Sequence, residues 1–367
     1  MTIILTITIL LFLFVVIYLQ HPVFGKAPGA ARRKLIAEST NYKNGKFQNA
    51  EFTPVITEGY SMSSVLYNFI FKKIPRVRPS GSIPSIKTEL NNLDSSQDVL
   101  VWFGHSSYFI QLNGKRFLVD PVFSGNASPI PKSNKSFPGS DIYSSDDMPE
   151  IDYLLISHDH YDHLDYATII KLKPKISNII CGLGVGEHFE RWKFDSSIIE
   201  ERNWNESVVL NEHTTLHTAP ARHFSGRTYK RNNTLWLSFV LETADLRLYL
   251  GGDSGYGNHF KELGKKFGEF DLAILDNGQY NLAWQAIHML PEEGLKAAKD
   301  LNAKRLFPVH SSKFKLADHA WDEPLKTISE LNEKGNNLSL VTPKIGEIVY
   351  LRKADQQFTK WWEEIDR

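Results

Sequence analysis

A run of histidines and aspartates offers the clearest chemistry in the chain, in the stretch Ile156-Ser-His-Asp-His-Tyr-Asp-His-Leu-Asp165. Imidazole and carboxylate groups are the ligands that a divalent ion such as zinc prefers, and His158, His160, Asp162 and His163 supply four of them. Alternation along an extended segment directs the first two to the same side, and a tight turn brings the other two beside them. The spacing therefore predicts a metal site in which two nearby ions share one cluster.

The elements around this run predict where it lies. Residues 151–156 are apolar and typical of a strand, and residues 164–172 have helical spacing, so the cluster ends a strand and enters a helix. Functional sites are commonly found at strand ends. Three other predicted strands are followed by a histidine or an aspartate, and these residues are expected to complete the site: His223, Asp253 and His310.

Two further residues are expected beside the site without binding a metal. Asp120 ends the strand Phe117–Val119, where its carboxylate could accept the ring N–H of a metal-bound histidine and fix the orientation of that ring. His105 lies beside the first hairpin and is expected either to support the ligands from behind or to be structural.

From residue 98 onward the pattern predicts short strands separated by a few helices. Strands are predicted at 99–103, 107–112, 115–119, 153–156, 179–181, 208–210, 214–218, 235–241, 246–250, 272–275 and 305–309, and helices at 164–173, 258–267 and 292–301. Asn113-Gly114 is a strong signal for a two-residue hairpin. We expect two mainly antiparallel sheets packed on each other, with helices outside and the strand ends meeting at one edge.

The N-terminus predicts a membrane anchor. Residues 2–19 are mostly apolar and carry no charge, and the length of this run is at the lower limit for a transmembrane helix. The first basic residues follow the run. No Lys or Arg precedes the run, which favours an uncleaved segment over a cleaved signal peptide. The positive charges on its C-terminal side predict that the large domain faces the cytoplasm.

The composition argues against nucleic-acid binding and against a cysteine-based metal site. Lys plus Arg equals Asp plus Glu at 42 each, which gives no support to nucleic-acid binding. The single cysteine, Cys181, excludes an intramolecular disulfide and a cysteine-rich zinc motif. A metal would therefore be held by histidine and carboxylate.

The ordered series of motifs resembles the metallo-β-lactamase superfamily of binuclear metal hydrolases. Within it the chain is most similar to the branch that contains N-acyl-phosphatidylethanolamine-hydrolysing phospholipase D and its bacterial relatives. The matching segments are Phe117-Leu-Val-Asp-Pro-Val-Phe-Ser124, the histidine run itself, Gly252-Asp-Ser-Gly-Tyr256, Phe267-Gly-Glu-Phe-Asp-Leu-Ala273 and His288-Met-Leu-Pro-Glu-Glu293.

The resemblance implies an α/β fold, a four-layer αββα sandwich, with an N-terminal transmembrane helix added in this chain. It implies two zinc ions, one bound by His158, His160 and His223, the other by Asp162, His163 and His310, with Asp253 bridging them. A hydroxide between the ions would attack the substrate, with Asp162 and His288 in catalytic positions. Tyr280, Trp284 and His288 are expected in the substrate pocket.

The predicted organisation combines the apolar N-terminus, the change of pattern at residue 98 and the resemblance. Residues 1–20 form the membrane anchor or uncleaved signal segment, 21–97 a lead-in and connector, 98–352 the hydrolase domain and 353–367 a C-terminal tail. The predicted partners are a phospholipid or other ester substrate and a membrane, with a homodimer as one option and no nucleic acid.

The predicted reaction is hydrolysis of a phosphodiester, in an N-acyl-phosphatidylethanolamine-type phospholipid. The chain reads Asn277-Gly-Gln-Tyr280 and Leu282-Ala-Trp284, without the proline and arginine usual in this branch, and has Ile287 before His288. A lactonase or other ester hydrolase on the same site is therefore an alternative. A second alternative is a non-catalytic, membrane-bound metal or lipid binder. A flavin-partnered di-iron oxidoreductase is disfavoured, since no flavodoxin-like domain is appended.

Overall fold

Two seven-stranded sheets form the centre of the protein in the computed structural model, which describes residues 1–335 and 337–365. Residue 336 of the predicted hydrolase domain and residues 366–367 of the predicted tail lie outside the described residues. Numbered along the chain, β1 (Tyr42–Lys43) and β2 (Lys46–Phe47) pair in a small hairpin outside both sheets.

The first sheet contains, in spatial order, β16 (Ile348–Tyr350), β3 (Val99–Trp102), β4 (Tyr108–Leu112), β5 (Lys115–Val119), β6 (Ile151–Ile156), β7 (Ile176–Gly182) and β8 (Ile199–Arg202). The second contains β15 (Ser339–Leu340), β14 (Arg305–Val309), β13 (Leu272–Asp276), β12 (Arg247–Leu250), β11 (Ser238–Thr243), β10 (Thr214–Ala219) and β9 (Ser207–Asn211). The helices are α1 (Thr2–Tyr18), α2 (Ala30–Ala37), α3 (Met62–Phe71), α4 (Tyr166–Leu172), α5 (Gly186–Arg191), α6 (His259–Phe267), α7 (Pro291–Asp300) and α8 (Glu323–Glu333).

Each sheet is half antiparallel and half parallel. Pairing is antiparallel from β16 through β5 and parallel from β5 through β8, and the second sheet repeats this with β9 to β12 antiparallel and β12 to β15 parallel. The expectation of mainly antiparallel sheets is therefore only half right. The long connections explain the difference, because a helix between two strands, or the loop of residues 120–150 between β5 and β6, lets the chain return in the same direction.

Alternation along the strands builds the layers. In β3, Leu100 and Trp102 pack between the two sheets, whereas Val101 packs on the outer face of the first sheet with the side chains of α4 and α5. In β13, Ile274 likewise faces the first sheet, and Leu275 packs outward with α6, α7 and α8. The predicted four-layer αββα sandwich is confirmed.

The first hairpin follows the sequence prediction. Leu112 pairs with Lys115 across a two-residue turn in which Asn113 and Gly114 have φ of 50° and 71°. This backbone matches the turn that joins two twisted antiparallel strands most directly.

The predicted transmembrane helix is corrected. No helix within residues 1–335 and 337–365 has both the length and the apolar character needed to cross a membrane. The apolar run ends as a helix at Tyr18, and its 17 residues span about 26 Å, short of the roughly 30 Å hydrocarbon core. The hydroxyl of Tyr18 donates to the carbonyl of Pro129 at 2.8 Å, which ties the helix end to the folded domain. The predicted membrane-anchored location depended on this helix and is corrected with it.

Candidate metal centre

The loop after β6 carries four of the predicted ligands and turns back on itself before α4. The N–H groups of His163 and Leu164 both donate to the carbonyl of His160, at 3.1 and 2.8 Å. The Asp165 carboxylate then accepts the N–H of Ala167 at 3.2 Å and caps α4. The turn that the sequence required is therefore present.

The structure brings all seven predicted ligands together in two adjoining groups. Within each group, one potential ligand atom of every residue lies within 4.8 Å of the others. One group is His158, His160, His223 and Asp253, and the other is His105, Asp162, His163 and His310. His105 is an addition to the predicted set, and the individual ligand roles stay predictions.

Asp253 lies between the two groups. Its Oδ1 is 3.2 Å from His163 Nε2 and 3.1 Å from His310 Nδ1. Its Oδ2 lies 3.8 Å from the Nε2 atoms of both His158 and His223. Burial opposes its charge, but the neighbouring His163 lowers the pKa of this carboxyl well below its usual range. An ionised carboxylate with one oxygen toward each group is the geometry expected of a bridge.

Hydrogen bonds on the outer side of the rings determine which nitrogens remain available. His223 Nδ1 lies 2.9 Å from the carbonyl of Ile287, and His163 Nδ1 lies 2.8 Å from Asp120 Oδ2, so each of these nitrogens carries the donated hydrogen. In the neutral rings the two Nε2 atoms then present lone pairs to the interior. Metal-binding histidines are oriented in this way.

Unpaired buried atoms test whether a cation fits. His163 Nε2 and Asp253 Oδ1 are buried without a hydrogen-bond partner, yet they lie 3.2 Å apart. Two acceptors this close repel each other unless a proton or a metal ion lies between them. The residues therefore fit a divalent metal ion, which matches the nitrogen and oxygen donors of the two groups.

Burial also prepares most of the rings for metal binding. It lowers the pKa of His158, His223 and His310 well below the usual value, so these rings are neutral, which is the form that binds metal. Burial acts in the same direction on His163, but the charges of Asp253 and Asp162 prevail and raise its pKa well above the usual value. Asp253 and Asp162 stabilise a positive charge at this position, and they would stabilise a bound metal cation in the same way when it replaces the proton of His163.

The two residues expected beside the ligands lie where the sequence placed them. Asp120 accepts the main-chain N–H of Ser157 at 2.8 Å and its hydroxyl at 2.5 Å, while the same hydroxyl lies 2.9 Å from His158 Nδ1. Asp120 thus supports His163 directly and His158 through Ser157. His105 Nε2 lies 2.9 Å from Asp162 Oδ2, so this ring orients a predicted ligand.

A cavity of about 230 Å³ opens onto the two groups. Its polar lining comes from His160, Asp162, Asp253, Gln279, His288 and His310. Its apolar lining comes from Val55, Ile56, Phe224, Trp284, Ile287 and Leu316. Trp284 and His288 both line the cavity, and their contact with a substrate stays a prediction.

Tyr280 is not among the residues that line this cavity. Its hydroxyl donates to Glu323 Oε1 at 3.2 Å, and its ring stacks on His319 at 4.9 Å. Gln279, with a left-handed φ of 54°, lines the cavity in its place. The turn at Gln279 directs Tyr280 away from the substrate pocket, contrary to expectation.

Two functional candidates were not found from the sequence. Asp276, the last residue of β13, lies with Oδ2 2.9 Å from His288 Nδ1. Burial raises its pKa to about 6 against the lowering effect of His288. The strand-end pattern that identified Asp253 applies equally to Asp276 and is the signal that could have found it.

The second candidate, Arg227, lies behind the metal-binding loop. Only 5% of it is exposed, and its NH1 donates to the carbonyls of Asp159 and Leu164 at 2.8 and 2.7 Å. Its position four residues after His223 gives no recognisable pattern, because the contact depends on how two distant loops pack.

Comparison with known proteins places these observations in a family. Residues 115–311 match the family described as a Beta-lactamase superfamily domain. An uncharacterized protein of Mycobacterium tuberculosis is 34% identical over 342 residues, 92% of this chain and 91% of that protein. The N-acyl-phosphatidylethanolamine-hydrolyzing phospholipase D 1 of Caenorhabditis elegans is 29% identical over 313 residues, 76% of this chain and 86% of that protein. In structure, the metallo hydrolase Igni18 from Ignicoccus hospitalis matches with a TM-score of 0.54 at 18% identity, over 69% of this chain and 98% of that one, and supports the fold.

Proposed function

The chain belongs to the beta-lactamase superfamily of metal-dependent hydrolases, and from that premise we propose that it hydrolyses a phosphodiester in the manner of a phospholipase D. The proposed substrate class is an N-acyl-phosphatidylethanolamine-type phospholipid. Similarity to the Caenorhabditis elegans enzyme over three quarters of the chain supports this choice. The observation that carries it is a narrow cavity with an apolar wall directly over two groups of metal-binding side chains.

The proposed cofactor is a pair of zinc ions. His158, His160 and His223 would hold one, Asp162, His163 and His310 the other, with Asp253 between them. When bound, such ions would supply an activated hydroxide and would polarise the phosphoryl or carbonyl oxygen next to the atom under attack. The nitrogen-rich donor set and the absence of a thiolate from both groups favour zinc over a softer ion.

Asp162 and His288 are the proposed participants in proton transfer. Asp162 is held by His105 and lines the cavity, where its carboxylate can accept a hydrogen bond from the attacking water. His288 donates Nδ1–H to Asp276, which leaves Nε2 on the opposite edge of the ring. In its protonated form the ring also carries a hydrogen on Nε2, which it can donate to a phosphate oxygen or to the departing alkoxide.

The charge of the cavity favours a diester over a monoester. The described residues that line it include no lysine and no arginine. A diester carries one negative charge, whereas a phosphomonoester carries nearly two at neutral pH and gains more from fixed cations. The apolar wall of Val55, Ile56 and Trp284 suits one acyl chain or another uncharged substituent.

The same observation supports a second candidate, an uncharged lactone or carboxylic ester. Without a fixed cation, the cavity imposes no requirement for a phosphate group. Attack on a carbonyl would use the same metal-binding groups and the same proton donor.

We also propose that residues 98–352 are the hydrolase domain and that residues 21–97 are an added N-terminal part. Both seven-stranded sheets lie between Val99 and Tyr350. The added part nevertheless contributes Val55 and Ile56 to the cavity, and the Thr57 N–H donates to the Ala283 carbonyl at 2.7 Å. It therefore shapes the substrate site.

The experiment incubates the purified full-length protein with an N-acyl-phosphatidylethanolamine in mixed micelles and follows the products by mass spectrometry. We expect phosphatidate and the N-acylethanolamine in equal amounts, with p-nitrophenyl phosphate turned over far more slowly. Asp253→Asn serves as the impaired variant, and Asp271→Asn, away from the site, as the matched control. Ring opening of a medium-chain lactone without cleavage of the lipid would establish the second candidate instead.

A further inference from the structure

Asp276 and His288 form a buried pair beside the metal-binding groups. The carboxylate of Asp276 is 1% exposed, at the carboxyl end of a parallel strand. Its Oδ2 lies 2.9 Å from His288 Nδ1 and 3.4 Å from the N–H of Ser254, and its Oδ1 accepts the N–H of Gly278 at 3.2 Å. Main-chain donors on both oxygens hold the carboxylate in one orientation.

The segment that carries His288 is fixed from the other side as well. The carbonyl of Ile287 accepts the ring N–H of His223, and the N–H of Met289 donates to the Ser254 carbonyl at 3.1 Å. Gly255 permits the close approach of this segment, because a Cβ there would lie 2.1 Å from the Ala286 carbonyl oxygen. The main chain around His288 is thus held, and only the ring remains to be oriented.

The surroundings of the ring leave one direction for its free nitrogen. The ring centroid lies 5.0 Å from that of His223 and 5.2 Å from that of His310, and the side chain is 12% exposed and lines the cavity. With Nδ1 bonded to Asp276, Nε2 is the nitrogen left for a substrate.

We propose that Asp276 is a positioning residue, which fixes the His288 ring with its hydrogen on Nδ1 so that Nε2 faces the cavity. The proposal rests on the proposed function only in one respect, which is the identity of the substrate group that His288 Nε2 would contact. Asp276 acts through His288, since its own oxygens are used by Ser254, Gly278 and the ring. Loss of the carboxylate should therefore cost only what His288 contributes.

One other assignment competes with this one. Asp276, His288, His310 and Asp253 also lie close enough for one ligand atom of each to hold a metal ion. In that case Asp276 would bind metal itself, and its removal would change the metal content. The two assignments differ in metal stoichiometry and in the state of the His288 ring.

The kinetic experiment is a double-mutant cycle on whichever ester or diester the protein hydrolyses. We expect Asp276→Ala to lower kcat by about 10- to 100-fold with KM within twofold, His288→Ala to lower it at least as much, and the double variant to equal His288→Ala. Asp276→Asn, which keeps a hydrogen-bond acceptor, should recover part of the loss. Asp271→Ala, just before the same strand, is the matched control and should retain wild-type kcat. Losses that multiply in the double variant would overturn the proposal, as would a lower metal content of Asp276→Ala.

A second readout needs neither a substrate nor an Asp276 variant. In protein labelled with ¹⁵N-histidine, the His288 signals, identified by their absence in His288→Gln, should show the hydrogen on Nδ1. A hydrogen found only on Nε2 would refute the proposal. If no substrate at all is turned over, the proposed function fails while this measurement still decides the role of Asp276.

Discussion

Replacing Arg227 with methionine should loosen the metal-binding loop from behind. The guanidinium donates to the carbonyls of Asp159 and Leu164, near the two ends of the loop, and its Nε and NH2 donate to the carbonyl of Val23 at 3.1 and 2.7 Å. It also lies 4.2 Å from the centroid of the Tyr161 ring, within the loop. Arg227 therefore joins both ends of the loop to the N-terminal segment.

The magnitude follows from what methionine leaves behind. Two buried carbonyls and the partly buried carbonyl of Val23 lose their charged donor, at about 1–3 kcal/mol for each unsatisfied buried group, so the free energy of unfolding should fall by about 3 kcal/mol. For a chain of 367 residues, the usual entropy of about 2.1 cal/mol/K per residue converts this to a drop of about 4 °C in Tm. Because the loop carries predicted ligands, metal affinity should weaken by about 10- to 100-fold, as for other residues that orient metal ligands.

The assay pairs thermal unfolding with metal competition against a chromophoric chelator. Arg33→Met is the control, because Arg33 is exposed and its guanidinium donates to the carbonyl of Pro28 at the surface. Its effect should stay within about 0.5 kcal/mol. If Arg227→Met kept the wild-type Tm and metal affinity, the claim that this residue holds the loop would be refuted.

Two further predictions concern charge. Asp253→Asn removes the negative charge between the two groups while keeping the size of the side chain. The kcat should therefore fall by at least about 10²-fold, which is about 2.7 kcal/mol of barrier, and the metal content should fall as well. A near-normal kcat with full metal content would show that Asp253 is not the bridge. Burial lowers the pKa of His259 to about 3, so between pH 6.5 and 3 the unfolded chain binds a proton that the folded protein does not, and folding stability should decrease as pH falls through this window, by about 2 kcal/mol at pH 5. Urea unfolding at pH 7 and pH 5 measures this loss of unfolding free energy, which should be about 2 kcal/mol smaller in His259→Gln than in the wild type. An equal loss in the two proteins would contradict the assignment.

Local patterns predicted much of the structure because they depend on neighbouring residues. The end of the strand ahead of His158, the Asn113-Gly114 turn and helix α7, which begins at Pro291, lie within one residue of their predicted positions. Ligand types placed after strands led to His223, Asp253 and His310, because strand ends meet at one edge of a layered fold.

The errors concern features that depend on distant contacts. The direction of Tyr280 is determined by Glu323 and His319, which no local pattern connects to it. The apolar N-terminal run predicted a transmembrane helix from composition alone, but the helix ends at Tyr18, too short to span a membrane. The sequence analysis did not predict helix α8 or the short strands β8 and β15, which belong to the parallel halves of the sheets, and it therefore did not predict the parallel pairing.

The metal content of the purified protein tests the central claim most directly. Protein prepared without chelators should contain about two equivalents of zinc per chain, since two complete groups of ligands adjoin at Asp253. Removal of the metal should abolish hydrolysis, and titration with zinc should restore it up to the second equivalent. Full activity with one equivalent or none would contradict the account.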